Sequence, residues 1–325
     1  MESALHYQWQ QLKPGAQPPS YRGSNLVFDK KRQQGVLVAQ GETWLWDGST
    51  WHKALSRSNP PARNTTHLVY DVVTECVLLF GGIGLDGTPL HDVWLWNGQT
   101  WTEQHPAQYP LPLGDAAMAC DAGRQQVVLF GGLTGFDGSN GSNRVGTFSQ
   151  TTWVWNGSTW NELSGPDAPP ARAGGLLVYD EQRQYLLLCG GHGAAGYLQD
   201  QWLWQGDGWR QIFPVTLPPA QARYRGIFHE RLQQIVLMAE VLENVAARQR
   251  VYQTWTWDGT NWSQYAPAQT LPGSVEGFAY DTLHQTAVAC LVTGGKAQLA
   301  DKQTSAGAAL PALAAPTLAS ETWVW

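Results

Sequence analysis

The sequence predicts an all-β fold: a six-bladed β-propeller of four-stranded blades, closed by pairing the N-terminal strand with the C-terminal blade. Three observations predict it. A tryptophan-rich hairpin recurs along the chain. Two short apolar strands precede each copy. The last copy stops halfway, and the half it lacks stands at the N-terminus.

The hairpin is clearest in Thr152-Trp153-Val154-Trp155-Asn156-Gly157-Ser158-Thr159-Trp160. Trp153 and Trp155 are two residues apart, so on a strand they share a face. Asn156-Gly157 tolerates positive φ and signals a tight turn. Trp160 opens the returning strand and packs across the pair. The pattern returns at Trp44/Trp46 with Trp51, at Trp94/Trp96 with Trp101, at Trp255/Trp257 with Trp262, and more weakly at Trp202/Trp204 with Trp209. The chain ends on Thr322-Trp323-Val324-Trp325, and Tyr7-Gln8-Trp9-Gln10-Gln11-Leu12 resembles the strand that follows each turn.

In chain order, the orphan strand 7–12 leads through a proline-containing connector into blade one, 22–55, with strands at Asn25 to Asp29 and Gly35 to Ala39. Blade two, 63–104, places His67 to Asp71 before Cys76 to Phe80, then Gly81-Gly82 and an irregular stretch, 83–92. Blade three, 114–163, and blade four, 172–213, repeat this with Gly131-Gly132 and Gly190-Gly191. Blade five, 223–265, has the strands but no glycine pair, and blade six, 274–325, has Gly294-Gly295 late. Runs such as Val77 to Phe80 barely alternate, which predicts burial on both faces. A sheet with two apolar faces needs a neighbour on each side, and a ring supplies one to every copy. A chain of 325 residues usually suggests two domains; repeats of about fifty residues in a ring make it one, 1–325.

The formal charge of −6, without a long basic run, argues against nucleic acid. No apolar run is long enough to span a bilayer. Met1 to Leu12 lacks the basic start and apolar segment of a signal peptide. Cys76, Cys120, Cys189 and Cys290 show no CxxC spacing, which predicts free thiols in a reducing compartment and no cysteine metal site. A cytoplasmic monomer with no metal or cofactor is the expectation.

The glycine pairs after an apolar strand, an aromatic strand downstream, and Arg63 and His67 ahead of the first strand, with Arg172 likewise and Arg22 approximately, resemble the kelch repeat over nearly the whole chain. The resemblance implies a propeller. It leaves the activity open, since kelch-like propellers include protein-interaction scaffolds, copper oxidases and iron-dependent plant specifier proteins. The third repeat departs by lacking the leading arginine, the fifth by lacking the glycines. The ligand set of the copper oxidases cannot be placed here, and the Glu-x-x-x-Asp-x-x-x-His run of the specifier proteins is absent. No Gly-x-Ser-x-Gly, phosphate-binding glycine loop or HExxH occurs.

Strand alternation divides the connections between two ends. Those after first and third strands are tight. Those after second and fourth strands are long: 83–92, 133–151, 192–200, 240–253 and 296–321. Function concentrates on loops held by a rigid scaffold, so the long-loop end is the expected site. Arg63, His67, Arg172, His192, Arg223 and Arg225 fall there and are the candidate ligand-binding residues. Such arginines would suit a carboxylate or phosphate; in kelch-like blades the leading arginine usually stitches backbone and acids instead. His229 is placed on a channel-lining strand. Asp86, His91, Asp92, Asp137, His192 and Asp200 could form a metal or acid–base site but match no metal spacing. Asp29, Asp71, Asp121, Asp180 and Asp281 recur at one strand end and read as turn formers. The leading expectation is a binding module for a protein or small-molecule ligand. The alternative is a small-molecule enzyme, a cyclase, isomerase, lyase or hydrolase, acting in the same mouth.

Overall fold

The computed structural model describes residues 8–19, 25–64, 66–111, 113–134, 146–163, 165, 167–221, 223–244, 249–265, 271–293 and 319–325. Among them the chain is all-β, with six antiparallel sheets arranged as a six-bladed β-propeller. The innermost strands, Asn25–Asp29, His67–Asp71, Ala117–Asp121, Leu176–Asp180, Arg225–His229 and Ser274–Asp281, run side by side around the axis. Tyr7, Arg22, Asp137 and the segment 294–318 lie outside the described residues.

Closure follows the pattern in the sequence. Gln10, Gln11 and Leu12 pair with Val324, Trp323 and Thr322. Trp9 stacks on Trp325 with ring centroids 5.9 Å apart, taking the place that Trp160 holds beside Trp155, at 5.6 Å. The core is six clusters, one between each pair of neighbouring blades, so every blade face is covered. Val77, Leu78, Leu79 and Phe80 are wholly buried although their side chains point to alternate faces.

The tryptophan turns are four-residue loops, since Trp155 pairs with Trp160. Asn156 Oδ1 accepts from the amides of Ser158 and Thr159, at 3.1 and 3.0 Å, and Gly157 takes φ +96°. Asn or Asp is there for its acceptor oxygen, glycine for the left-handed backbone.

Several stretches read as irregular loops are hairpin arms. Strands Cys76–Gly84 and Pro89–Trp96 stay paired past the sheet, with the register shifting between Phe80 and Gly82. The glycine pair makes a bulge here and does not end the strand. Short arms at Leu133–Thr134 with Thr147–Phe148, and at His192–Gly193 with Gly196–Tyr197, follow the other two pairs. Blade five has no glycine pair, and its strands Gln234–Asn244 and Gln249–Trp257 stay in register as far as Leu242 opposite Arg250.

Candidate functional site

The innermost strands enclose a channel cavity of about 960 Å³. Its two ends differ. At the tight-turn end Lys30 of blade one reaches across to Glu181 of blade four and stands 3.8 Å from Glu230 of blade five. This crossbar spans the channel. The Asp residues that finish the innermost strands turn the chain there: Asp71 Oδ1 accepts from Val73 N at 2.9 Å and Asp180 Oδ1 from Arg183 N at 2.9 Å. His229 stands where the other blades have Asp, and its Nδ1 accepts from Leu232 N at 3.2 Å. It is a turn former at this end and is not part of the cavity wall, contrary to the expectation from its strand alone.

At the long-loop end the polar groups gather unevenly. The first residues of the innermost strands form a ring: Asn25, His67, Ala117, Leu176 and Arg225, with Glu276 beside a bulge in blade six. Blades three and four give an apolar wall, the others a polar one. Arg225 donates from Nε to Val275 O at 3.0 Å, and its Nη2 is 3.8 Å from Glu276 Oε2. Ser274 Oγ donates to Glu276 Oε1 at 2.9 Å. Glu240 and Tyr252, opposite each other on the long ribbon of blade five, also line the cavity. Tyr252 Oη accepts from Val275 N at 2.8 Å, and burial pushes its phenol up from the usual range.

Above this ring Asp115, Gly174 and Arg223 occupy matching places in blades three, four and five. All three have positive φ, at 53°, 66° and 62°. Gly174 N donates to Asp115 O at 2.6 Å and Arg223 N to Gly174 O at 2.7 Å, and Arg223 Nη2 meets Asp115 Oδ2 at 2.7 Å. Non-glycine residues in this conformation carry strain.

The six candidates separate into two groups. His67, His192, Arg223 and Arg225 line the cavity. Arg63 and Arg172 do not. Each is buried inside its own blade and held bidentately, Arg63 by Asp92 at 2.5 and 2.6 Å and Arg172 by Asp200 at 2.9 and 2.6 Å. Trp94 and Trp202 donate to the same carboxylates at 2.7 and 2.6 Å. Burial opposes ionisation of Asp92, but Arg63 holds its carboxyl below the ordinary value. Blade three lacks the arginine and carries Thr151 where these blades have Asp.

His67 is almost fully buried, and burial pulls its imidazole down to about 4, against a weaker opposing pull from Asp115, so it is neutral at pH 7. His192 packs edge-on to Phe148 at 4.8 Å, beside the exposed Tyr197 at 6.3 Å. Asp86 caps its own turn by accepting from Thr88 N at 2.9 Å, and His91 packs on Tyr109. No group of three His, Cys, Asp or Glu side chains suited to a metal ion occurs among the described residues. Asp115, Glu240 and Glu276 were not singled out from sequence. The signal for Glu240 is its position in blade five, which lacks the glycine pair.

The fold and its mouth define the molecule as a six-bladed β-propeller with a one-sided polar pocket. The sequence matches no protein-family model and no curated protein. The fold is similar to a solved structure described as that of YjhT, with a TM-score of 0.61 and 12% identity, covering 87% of this chain and 92% of that chain. That likeness is one of fold. Among the described residues no helix is long and apolar enough to cross a membrane.

Proposed function

We propose that this kelch-like propeller binds a small molecule inside the long-loop end of its channel. The observation that carries the reading is the convergence of Arg223, Arg225, Glu240, Tyr252, Glu276 and His67 on one cavity of about 960 Å³, the size of a ligand pocket. Titratable groups of opposite sign in a concave site mark function more strongly than loop length does. The exposed large apolar residues Leu55, Leu111 and Phe213 sit on connectors of different blades, so a protein partner gains less support than a small ligand.

A reaction on the bound molecule is the second reading. Glu276 and neutral His67 share the mouth, and a carboxyl with an imidazole is a pair that acid–base work can use.

The test is a thermal-shift screen of small metabolites, neutral and charged. Hits should stabilise the wild type and lose at least about tenfold in affinity in Arg225→Ala and Glu276→Gln, with the unliganded melting temperature kept. Hits indifferent to both changes would place binding elsewhere.

A further inference from the structure

Two neighbouring side chains of blade two each leave a buried polar atom unpaired among the described residues. Thr66 and His67 line the cavity and are 5% and 8% exposed. Thr66 Oγ1 and His67 Nε2 are buried with no hydrogen-bond partner among the described residues. The matching ring positions in other blades hold Asn25, Ala117, Leu176 and Arg225, so blade architecture does not require histidine here. Leaving a buried polar group unpaired costs about 1–3 kcal/mol. Two together on a cavity wall call for a partner that comes from outside the chain.

The charges of the mouth indicate what kind of partner. Arg223 is paired with Asp115, and Arg225 stands beside Glu276. Glu240 adds a further carboxylate to the lining. Two cations and three carboxylates leave no positive excess for an anion, on a chain whose formal charge is −6. The adjoining wall is apolar, formed by Ala116, Ala117 and Leu176. We infer that the pocket recognises an uncharged hydrogen-bonding group, an alcohol or amide, held by His67 and Thr66 with its apolar side against Ala117 and Leu176. This rests on the pocket being the ligand site. The low basicity of His67 agrees with it, since a neutral imidazole both donates and accepts while an imidazolium only donates.

The experiment follows the His67 ring nitrogens and the Arg225 and Tyr252 side chains by NMR at neutral pH, with acetamide and acetate as probes. Acetamide should move the His67 signals saturably and acetate at the same concentration should not. His67→Leu should abolish the acetamide response of the Arg225 and Tyr252 signals. If that variant fails to fold, Thr66→Val carries the test, with binding weakened about tenfold. Acetate moving His67 as much as acetamide, or acetamide binding unchanged in these variants, would overturn the inference. If acetamide moved Arg225 or Tyr252 but not His67, the pocket would stand and this assignment would fall. If neither probe moved any mouth signal, both would fall.

Discussion

At the scale of single residues, the propeller keeps two histidines, His67 and His229, neutral by burial. His67 and His229 are pulled down to about 4 from an ordinary 6.5. Desolvation is the leading cause for both. Asp115 pulls His67 the other way, and Arg231 adds to the effect on His229. Between the two values the unfolded chain binds more protons than the folded one. Stability is therefore complete above 6.5 and falls as the pH drops towards 4, by about 2–3 kcal/mol for each histidine. Chemical denaturation across that window should show the loss, and His67→Leu should remove about one proton from its slope. An unchanged slope would mean that His67 is not buried neutral. The histidine was visible in the sequence as a strand-start residue. That its Nε2 finds no partner among the described residues was not, because that depends on the blades beside it.

At the scale of the element, the repeat is a device for joining blades. Four of the tryptophans that open outer strands donate to the residue preceding the tryptophan pair of the blade before. Trp101 Nε1 reaches Thr43 Oγ1 at 2.8 Å, Trp209 reaches Thr152 at 2.9 Å, Trp262 reaches Gln201 Oε1 at 3.2 Å, and Trp51 reaches Thr322 at 2.9 Å across the closure. In blade two that position is Val93, and Trp160 Nε1 is accordingly left without a partner among the described residues. Val93→Thr should stabilise the protein by about 1 kcal/mol by supplying the acceptor, and Thr43→Val should destabilise it by about 1–2 kcal/mol by orphaning Trp101. Opposite signs in denaturant unfolding would establish the staple; equal signs would refute it. The tryptophan spacing was legible because it is local. The staple partner was not, since Thr43 and Trp101 are joined only by the packing of two blades. The glycine pairs misled in one respect. Gly81-Gly82 read as a strand end, and in the fold they kink a strand that continues into a hairpin arm.

At the scale of the whole molecule, the polar groups of the mouth collect where the repetition fails. Blade five lacks the glycine pair, so its ribbon runs straight and brings Glu240 and Tyr252 to the cavity wall. Blade six has a bulge between Val275 and Gly277 in its innermost strand, beside Glu276. Local departures from a repeated rule are where functional sites are expected. The sequence showed blade five to be degenerate and showed which end carries the long loops. It could not show the Asp115–Arg223 pair, made between residues 108 positions apart. Nor could it show the Lys30 crossbar at the far end. That crossbar should make the channel a pocket with one entrance. Cys120 tests this, since its thiol lines the channel and is pushed up to about 12, mainly by burial. Lys30→Ala should speed alkylation of Cys120, read at the peptide level by mass spectrometry, by several-fold over wild type. Glu181→Gln with Glu230→Gln should do the same. Equal rates would mean that Lys30 bars nothing.

The most direct measurement is the crystal structure of the protein with the strongest hit of the metabolite screen. The account predicts the molecule inside the long-loop mouth, in contact with Arg225, Glu276 and Tyr252 and with a hydrogen bond to His67 or Thr66. A molecule bound on the outer faces of the blades or at the tight-turn end, with the mouth left as it is, would contradict it.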